Sequence, residues 1–218
     1  MVTEGGSISE SVLPLFPLQI VLFPGSSFPL HIFEERYKTL IRECIAEKKE
    51  FGINLIHENE VLKVGCAARV STVLHRYEDG RIDIIVQGTR RYRLERYEQS
   101  DAPYIVGSIR FLTTPEEDVN SVLAADTITL YNEFVSKVYG DKVAQIDIHA
   151  REVGLSYRLA QKAGMDLLRR QKLLESESEN DRLEMLNVYL TAMLPRLDRL
   201  EEVERIVRSD GYLQQDPE

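Results

Sequence analysis

The sequence predicts an α+β protein, with a β-rich lobe over residues 1–114 followed by a helical lobe over 115–218. Three observations predict it. Short apolar runs rich in Val, Ile and Tyr, separated by turn residues, fill the first half. Apolar positions then recur at helical spacing through the second half. Between them stands Thr114-Pro115-Glu116-Glu117, a threonine cap, a first-turn proline and a third-position acid, which reads as a helix start and as the lobe boundary.

In the first lobe, Leu13–Phe23 reads as an irregular or edge strand because Pro14 and Pro17 cannot donate to a ladder. Pro24-Gly25 ends it and leads into an extended loop through Pro29. Phe33, Tyr37, Leu40, Ile41, Cys44 and Ile45 recur at i, i+4, i+7, i+8, i+11 and i+12, an amphipathic helix packed on a sheet. Phe51–His57 is the next strand. Val64–Tyr77 and Arg81–Tyr97 form a long hairpin turning near Asp79-Gly80. Along its second arm Tyr92 and Leu94 alternate with Arg91 and Arg93, so the arginines are expected to face water. Tyr104–Leu112 closes the set.

In the second lobe, Val119, Val122, Leu123, Leu130, Tyr131, Phe134 and Val138 mark one long helix ending near Gly140-Asp141. Shorter helices follow at about Arg151–Ala163, stopped by Gly164, and at Leu167–Leu174, started by Asp166. A last helix begins after Ser178 or Asn180 and carries Leu183, Leu186, Leu190, Leu194 and Leu197, with Pro195 expected to kink or split it. The tail after Gly211 is polar and expected to be loose.

Composition narrows the function. The 218 residues are 43% hydrophobic and 29% charged, the balance of a folded globular chain. The polar, acidic opening lacks the basic start of a secretory signal, and no apolar run reaches the roughly 20 residues of a membrane span, so a cytoplasmic protein is expected. Cys44 and Cys66, far apart and without neighbouring ligands, read as buried thiols in a reducing compartment. The net charge is −9: residues 1–115 carry 14 basic and 15 acidic groups, residues 116–218 carry 13 and 21. An acidic second half repels phosphate backbones and disfavours nucleic acid as a partner.

The order of several short segments resembles one family. Leu13-Pro14-Leu15-Phe16-Pro17-Leu18, Val21-Leu22-Phe23-Pro24-Gly25 and Pro29-Leu30-His31-Ile32-Phe33-Glu34-Glu35-Arg36-Tyr37 are similar to the opening signature of Lon protease amino-terminal domains. Phe51-Gly52-Ile53, Val64-Gly65-Cys66-Ala67-Ala68, Gly80-Arg81-Ile82-Asp83-Ile84 and Gly88-Thr89-Arg90-Arg91-Tyr92-Arg93-Leu94 follow in order, then Leu155-Ser156-Tyr157-Arg158-Leu159-Ala160 and Gln171-Lys172-Leu173-Leu174-Glu175. Cys66, at a place where the family often has threonine or a small residue, and the acidic loop 175–181 depart from the pattern. The resemblance implies a twisted, PUA-like β-barrel lobe with one packed helix, then a carboxy-terminal helical bundle. It also implies a stand-alone, non-catalytic module without ATPase or peptidase domains. Its partners would be unfolded or tagged polypeptides, or a protease or chaperone, in protein quality control.

A search for chemistry finds little beside this. No G-x-x-x-x-G-K-[ST] phosphate loop occurs. Ser26, Ser27 and His31 share a loop and imitate a serine–histidine pair, but a turn or capping role is the simpler reading. His31, His57, His75 and His149 lack metal-ligand spacing, and no cofactor is expected. The substrate-binding candidates are Phe23, Phe28, His31, Phe33 and Tyr37, aromatic groups presented around prolines. Phe23 and Phe33 read more readily as core, and Phe28 is the aromatic expected at the surface. The alternative is an RNA-binding strand of Arg90, Arg91, Arg93 and Arg96 interleaved with Tyr92 and Tyr97.

Overall fold

The computed structural model describes residues 11–99, 101–115, 117–150 and 154–212, and divides into two compact units. The first comprises Met1–Glu116 with Met165–Glu177, the second Glu117–Gly164 with Ser178–Glu218.

The first unit is an antiparallel sheet with two helices. Its elements are β1 (Ser11–Pro14), β2 (Ser27–Ile32), α1 (Glu35–Glu47), β3 (Phe51–His57), β4 (Glu60–Arg76), β5 (Ile82–Gln99), β6 (Ile105–Phe111) and, after a long excursion of the chain, α4 (Leu167–Glu175). The strands run in the order β1-β6-β5-β4-β3, with β2 paired to the near half of β5. The expected barrel is therefore not closed by its named strands. Instead the segment after β1 makes two isolated parallel bridges to β3, Leu15 with Gly52 and Leu18 with Leu55.

Three expectations change here. The first strand is only four residues long, because the proline-bearing stretch leaves β6 after Pro14 and runs along β3 instead. The loop expected through Pro29 is a strand. Among the described residues β2 pairs only with β5, which leaves room at an edge for a residue without an N–H. The helix starts at Glu35, so Phe33 precedes it and does not join the buried stripe of Tyr37, Leu40, Ile41 and Cys44. That stripe packs on Ile82, Ile84 and Val86, the inward positions of β5, and forms the main core. A second cluster of Leu13, Leu15, Ala67, Tyr92, Leu94 and Ile109 lies on other faces of the strands.

Arg91 does not face water as expected: it is 2% exposed. Its guanidinium donates to the main-chain oxygens of Leu174 (3.0 Å) and Ser176, at the end of α4. Arg170 donates to the Val21 oxygen at 3.3 Å and Gln171 to that of Val64 at 3.0 Å. These contacts hold α4 within the sheet unit, whereas the sequence reading assigned it to the helical lobe.

The second unit holds α2 (Ser121–Tyr139), a 3-10 turn, α3 (Leu155–Ala160) and α5 (Glu179–Tyr212), with α2 and α3 each packed on α5. The expected helix start at Thr114 is displaced: Asn120 caps α2, its side chain accepting from the amides of Val122 and Leu123. Glu117 serves elsewhere, accepting from the Ser178 hydroxyl at 2.9 Å and from the Glu179 amide at the start of α5. Burial works against its ionisation, yet these hydrogen bonds hold its carboxyl below the usual range. Pro195 lies inside α5 and does not split it. Residues 151–153, where the third helix was expected to start, and 213–218 of the expected loose tail lie outside the described residues.

Candidate functional site

Antiparallel pairing sets three side chains in a row across the first unit. His31 of β2 is opposite Asp83 of β5, and Asp83 is opposite His75 of β4. Asp83 alternates with the buried Ile82 and Ile84 and so points away from the core.

Around Asp83 the array is tied by hydrogen bonds. His31 Nδ1 lies 2.5 Å from one carboxylate oxygen, and the Tyr77 hydroxyl donates to the other at 2.8 Å. These two contacts, the His31 one foremost, hold the Asp83 carboxyl below the usual range. Its hydrogen bond to Asp83 in turn raises the Tyr77 phenol. With Asp83 ionised, His31 presents an Nδ1–H to it in either protonation state.

Rings assemble on this frame. Phe33 stacks on His31 with centroids 6.1 Å apart and planes inclined by 24°. Tyr77 meets the edges of His31 (5.8 Å) and His75 (4.4 Å), and the Arg81 guanidinium lies 4.8 Å above it. Phe33 is 61% exposed and Leu74, next to Asp83's neighbour His75 on β4, is 56% exposed. The result is an aromatic platform whose parts hold one another in place.

Of the five aromatic and imidazole candidates, only His31 and Phe33 meet at this surface. Phe23 is fully buried beneath Arg170, Phe28 packs against the main core, and Tyr37 is buried against Phe16 at 3.9 Å. The aromatic expected at the surface is thus half-buried, and Phe33, expected in the core, is outside. The reason is alternation: Ile32 ends β2 facing inward, which turns Phe33 outward before the helix begins. Tyr77, Asp83 and His75 were missed. Their types were visible on the hairpin, but joining them to His31 needed the register of β2 on β5.

The arginine strand does not form one patch. Arg90 is paired with Glu50 at 2.9 Å and lies 3.7 Å above the Phe111 ring, Arg91 is buried under α4, Arg93 is half-buried, and Arg96 is exposed.

A hydrolytic pairing of Ser26 or Ser27 with His31 has no geometry behind it. Ser26 is buried in the turn, its hydroxyl donating to the Phe23 oxygen at 2.6 Å and accepting from the Phe23 amide. Ser27 lies four residues from His31 on one strand, about 13 Å away at roughly 3.3 Å per residue. Among the described residues no group of three metal-ligating side chains converges. No described helix is long and apolar enough to cross a membrane.

Comparison with known proteins accords with this architecture. A family model described as the ATP-dependent protease La (LON) substrate-binding domain matches residues 12–192. The Lon protease of Cytophaga hutchinsonii is 26% identical over 222 residues, covering 94% of this chain and 27% of that protein. That of Parabacteroides distasonis is 30% identical over 125 residues, covering 53% of this chain and 15% of that protein. The chain thus spans about a quarter of the length of the first of these proteases and less of the second. Among solved structures, a Lon N-terminal domain protein from Xanthomonas campestris is similar with a TM-score of 0.66 at 26% identity, covering 81% of this chain and 96% of that one. The N-terminal domain of a Mycobacterium avium complex Lon protease shares the fold, with a TM-score of 0.61 at 17% identity over 84% of this chain and 100% of that one. With most of its length matched by the family model, the chain belongs to the Lon substrate-binding domain family.

Proposed function

We propose that this chain is a non-catalytic polypeptide-binding module that takes apolar side chains of unfolded or tagged proteins on the Phe33–His31–Tyr77 platform, as an adaptor in protein quality control. The observation that carries it is Phe33, exposed to 61% and stacked on an imidazole already fixed by Asp83. A phenylalanine exposed to this extent gains little for folding, whereas an aromatic group held in place loses little entropy on binding. Family membership supports the same reading. In it the sheet unit is an incomplete PUA-like barrel, with Leu15–Leu18 spanning the gap between β1 and β3, and the second unit is a small helical bundle. The buried free thiols Cys44 and Cys66 suit a reducing, cytoplasmic setting.

The test is calorimetry with a permanently unfolded, near-neutral model polypeptide. The unaltered chain should bind it, and Phe33→Ala should weaken binding by about tenfold or more, the scale of a hot-spot aromatic, with an unchanged melting temperature. Absence of binding by the unaltered chain would sink the proposal, and full binding by Phe33→Ala would move the site elsewhere.

A further inference from the structure

Another part of the same unit combines positive charge with local backbone strain. Among the described residues β3 pairs with β4 no further than Ala68, so from Arg69 to Arg76 β4 has β5 on one side only. Its other side faces the end of α1 across a groove of about 580 Å3. Lys48, Lys49 and Arg69 line this groove together with Ile45, Val70 and Val73, and no carboxylate lines it. That asymmetry stands out in a chain of net charge −9. The Arg69 guanidinium donates to the neutral amide oxygen of Gln87 at 2.8 and 3.3 Å. Lys49 pairs with Glu47, and Lys48 has no carboxylate partner among the described residues.

Lys48 is also strained. It ends α1 in the left-handed region at φ 53°, its amide bonded to the Cys44 oxygen, a position where glycine is the unstrained choice. A lysine there bears a conformational cost, and it lines the groove. On the other side of Lys49 lies a second groove of about 420 Å3, lined by Val12, Pro14, Val106 and Phe111 and by Glu50 and Arg90, whose charges are paired with each other at 2.9 Å, with Val12 exposed to 65%. Lys49 borders both.

We propose that these adjoining grooves bind an extended polypeptide segment in which carboxylate side chains neighbour a bulky apolar one. The carboxylates lie against Lys48, Lys49 and Arg69, and the apolar group lies in the second groove. The unbalanced positive charge of the first groove and the apolar side chains of the second, where Glu50 and Arg90 offset each other, are complementary to such a segment and to no uniformly charged polymer. Register shifts between Val70 and Thr72 and between Val73 and His75 twist the open edge of β4, so the segment is read by its side chains and is not added as a strand. This inference rests on the polypeptide-binding reading and adds to it a preference for acidic sequences at a site separate from Phe33.

The experiment is fluorescence anisotropy on the full chain with three labelled peptides of one apolar pattern, carrying Glu, Gln or Lys at the same places, with inorganic polyphosphate as competitor. The Glu peptide should bind at least about tenfold tighter than the Gln peptide at low salt, losing that margin as salt rises, and polyphosphate should compete poorly. Lys48→Gly should raise the melting temperature by removing the strain yet remove much of the margin, as should Arg69→Gln. Phe33→Ala should leave the margin intact. Equal binding of Glu and Gln peptides, a margin unmoved by both groove variants, or full competition by polyphosphate overturns the inference. If the near-neutral unfolded polypeptide still binds in that case, the Phe33 reading stands alone. If no polypeptide binds at all, both fall.

Discussion

The Arg91 guanidinium donates at 3.0 Å to the main-chain oxygen of Leu174, a residue 83 positions further along the chain. Through this bond, and another to Ser176, a buried cation closes the end of α4, where the helix dipole favours positive charge. Arg91→Met keeps volume but leaves buried oxygens unpaired. We expect it to cost about 2–4 kcal/mol, since hydrogen bonds to charged groups contribute about 1.5–3 kcal/mol and orphaned partners add a penalty. Urea unfolding measures the loss, and hydrogen exchange should show lost protection in α4. Arg91→Lys should recover only part of it, because an ammonium cannot reproduce the fork. A loss under about 0.5 kcal/mol, the range of an ordinary surface substitution, would show that the bond is ornamental.

The same residue marks where the sequence stops being legible. Alternation along the second hairpin arm places Tyr92 and Leu94 inside, as found, and by the same rule sends Arg91 to water. The rule describes one sheet face against solvent, and here a helix distant in sequence covers the other face. Local signals read well: the Asp166 cap of α4, the Gly80 turn at φ 84° and the glycine at the end of α2 all stand where their chemistry predicts. The threonine-proline start at Thr114 fails because the competing use of Glu117, at the head of α5, depends on a segment about 60 residues away. The platform is half legible for a similar reason. His31 and Phe33 are neighbours in sequence, but Asp83 and Tyr77 join them only through strand register.

At Gly88 the backbone itself forbids a side chain. Its amide donates to the Ser26 oxygen at 2.9 Å and its oxygen accepts from the Gly25 amide, so a Cβ there would stand 2.2 Å from the Phe23 oxygen. Gly88→Ala must shift main chain and is expected to cost about 3 kcal/mol, the upper end for overpacking. Gly25→Ala meets nothing within 4 Å and is strained only by its φ of 75°, for about 1–2 kcal/mol. Comparing the two variants by thermal unfolding checks this ranking, and a reversed order would refute it.

The Asp83 array sets a pH window. Asp83 titrates below its ordinary 3.8 when folded, so its contribution is present above that value and is lost as pH falls through the lower folded one. Tyr77 titrates above its ordinary 10.0, so its contribution is present below 10.0 and is lost as pH rises through the higher folded value. The stability difference between the unaltered chain and Asp83→Asn should therefore shrink as pH falls below about 3.8 and as it rises above about 10. A difference that shrinks on neither flank would mean that other groups govern the platform.

In the second unit, Glu179 and Arg182 are buried together, 5% and 1% exposed, and linked at 2.6 Å. Ser156 completes the ring: its amide and hydroxyl donate to Glu179 at 2.7 and 2.9 Å, and its oxygen accepts from Arg182 at 2.9 Å. The Arg182 guanidinium also lies 4.5 Å over the Tyr157 ring. Desolvating two charges is costly, and their attraction repays it only while both are present. Glu179→Ala leaves a buried cation without its carboxylate and should cost about 3–5 kcal/mol. Glu179→Leu combined with Arg182→Met removes both charges and should cost much less than the two single changes added together. Denaturant titration of the single and double variants measures that coupling directly. Additive losses would mean that the ring contributes packing alone, and that charge plays no part in holding α3 to α5.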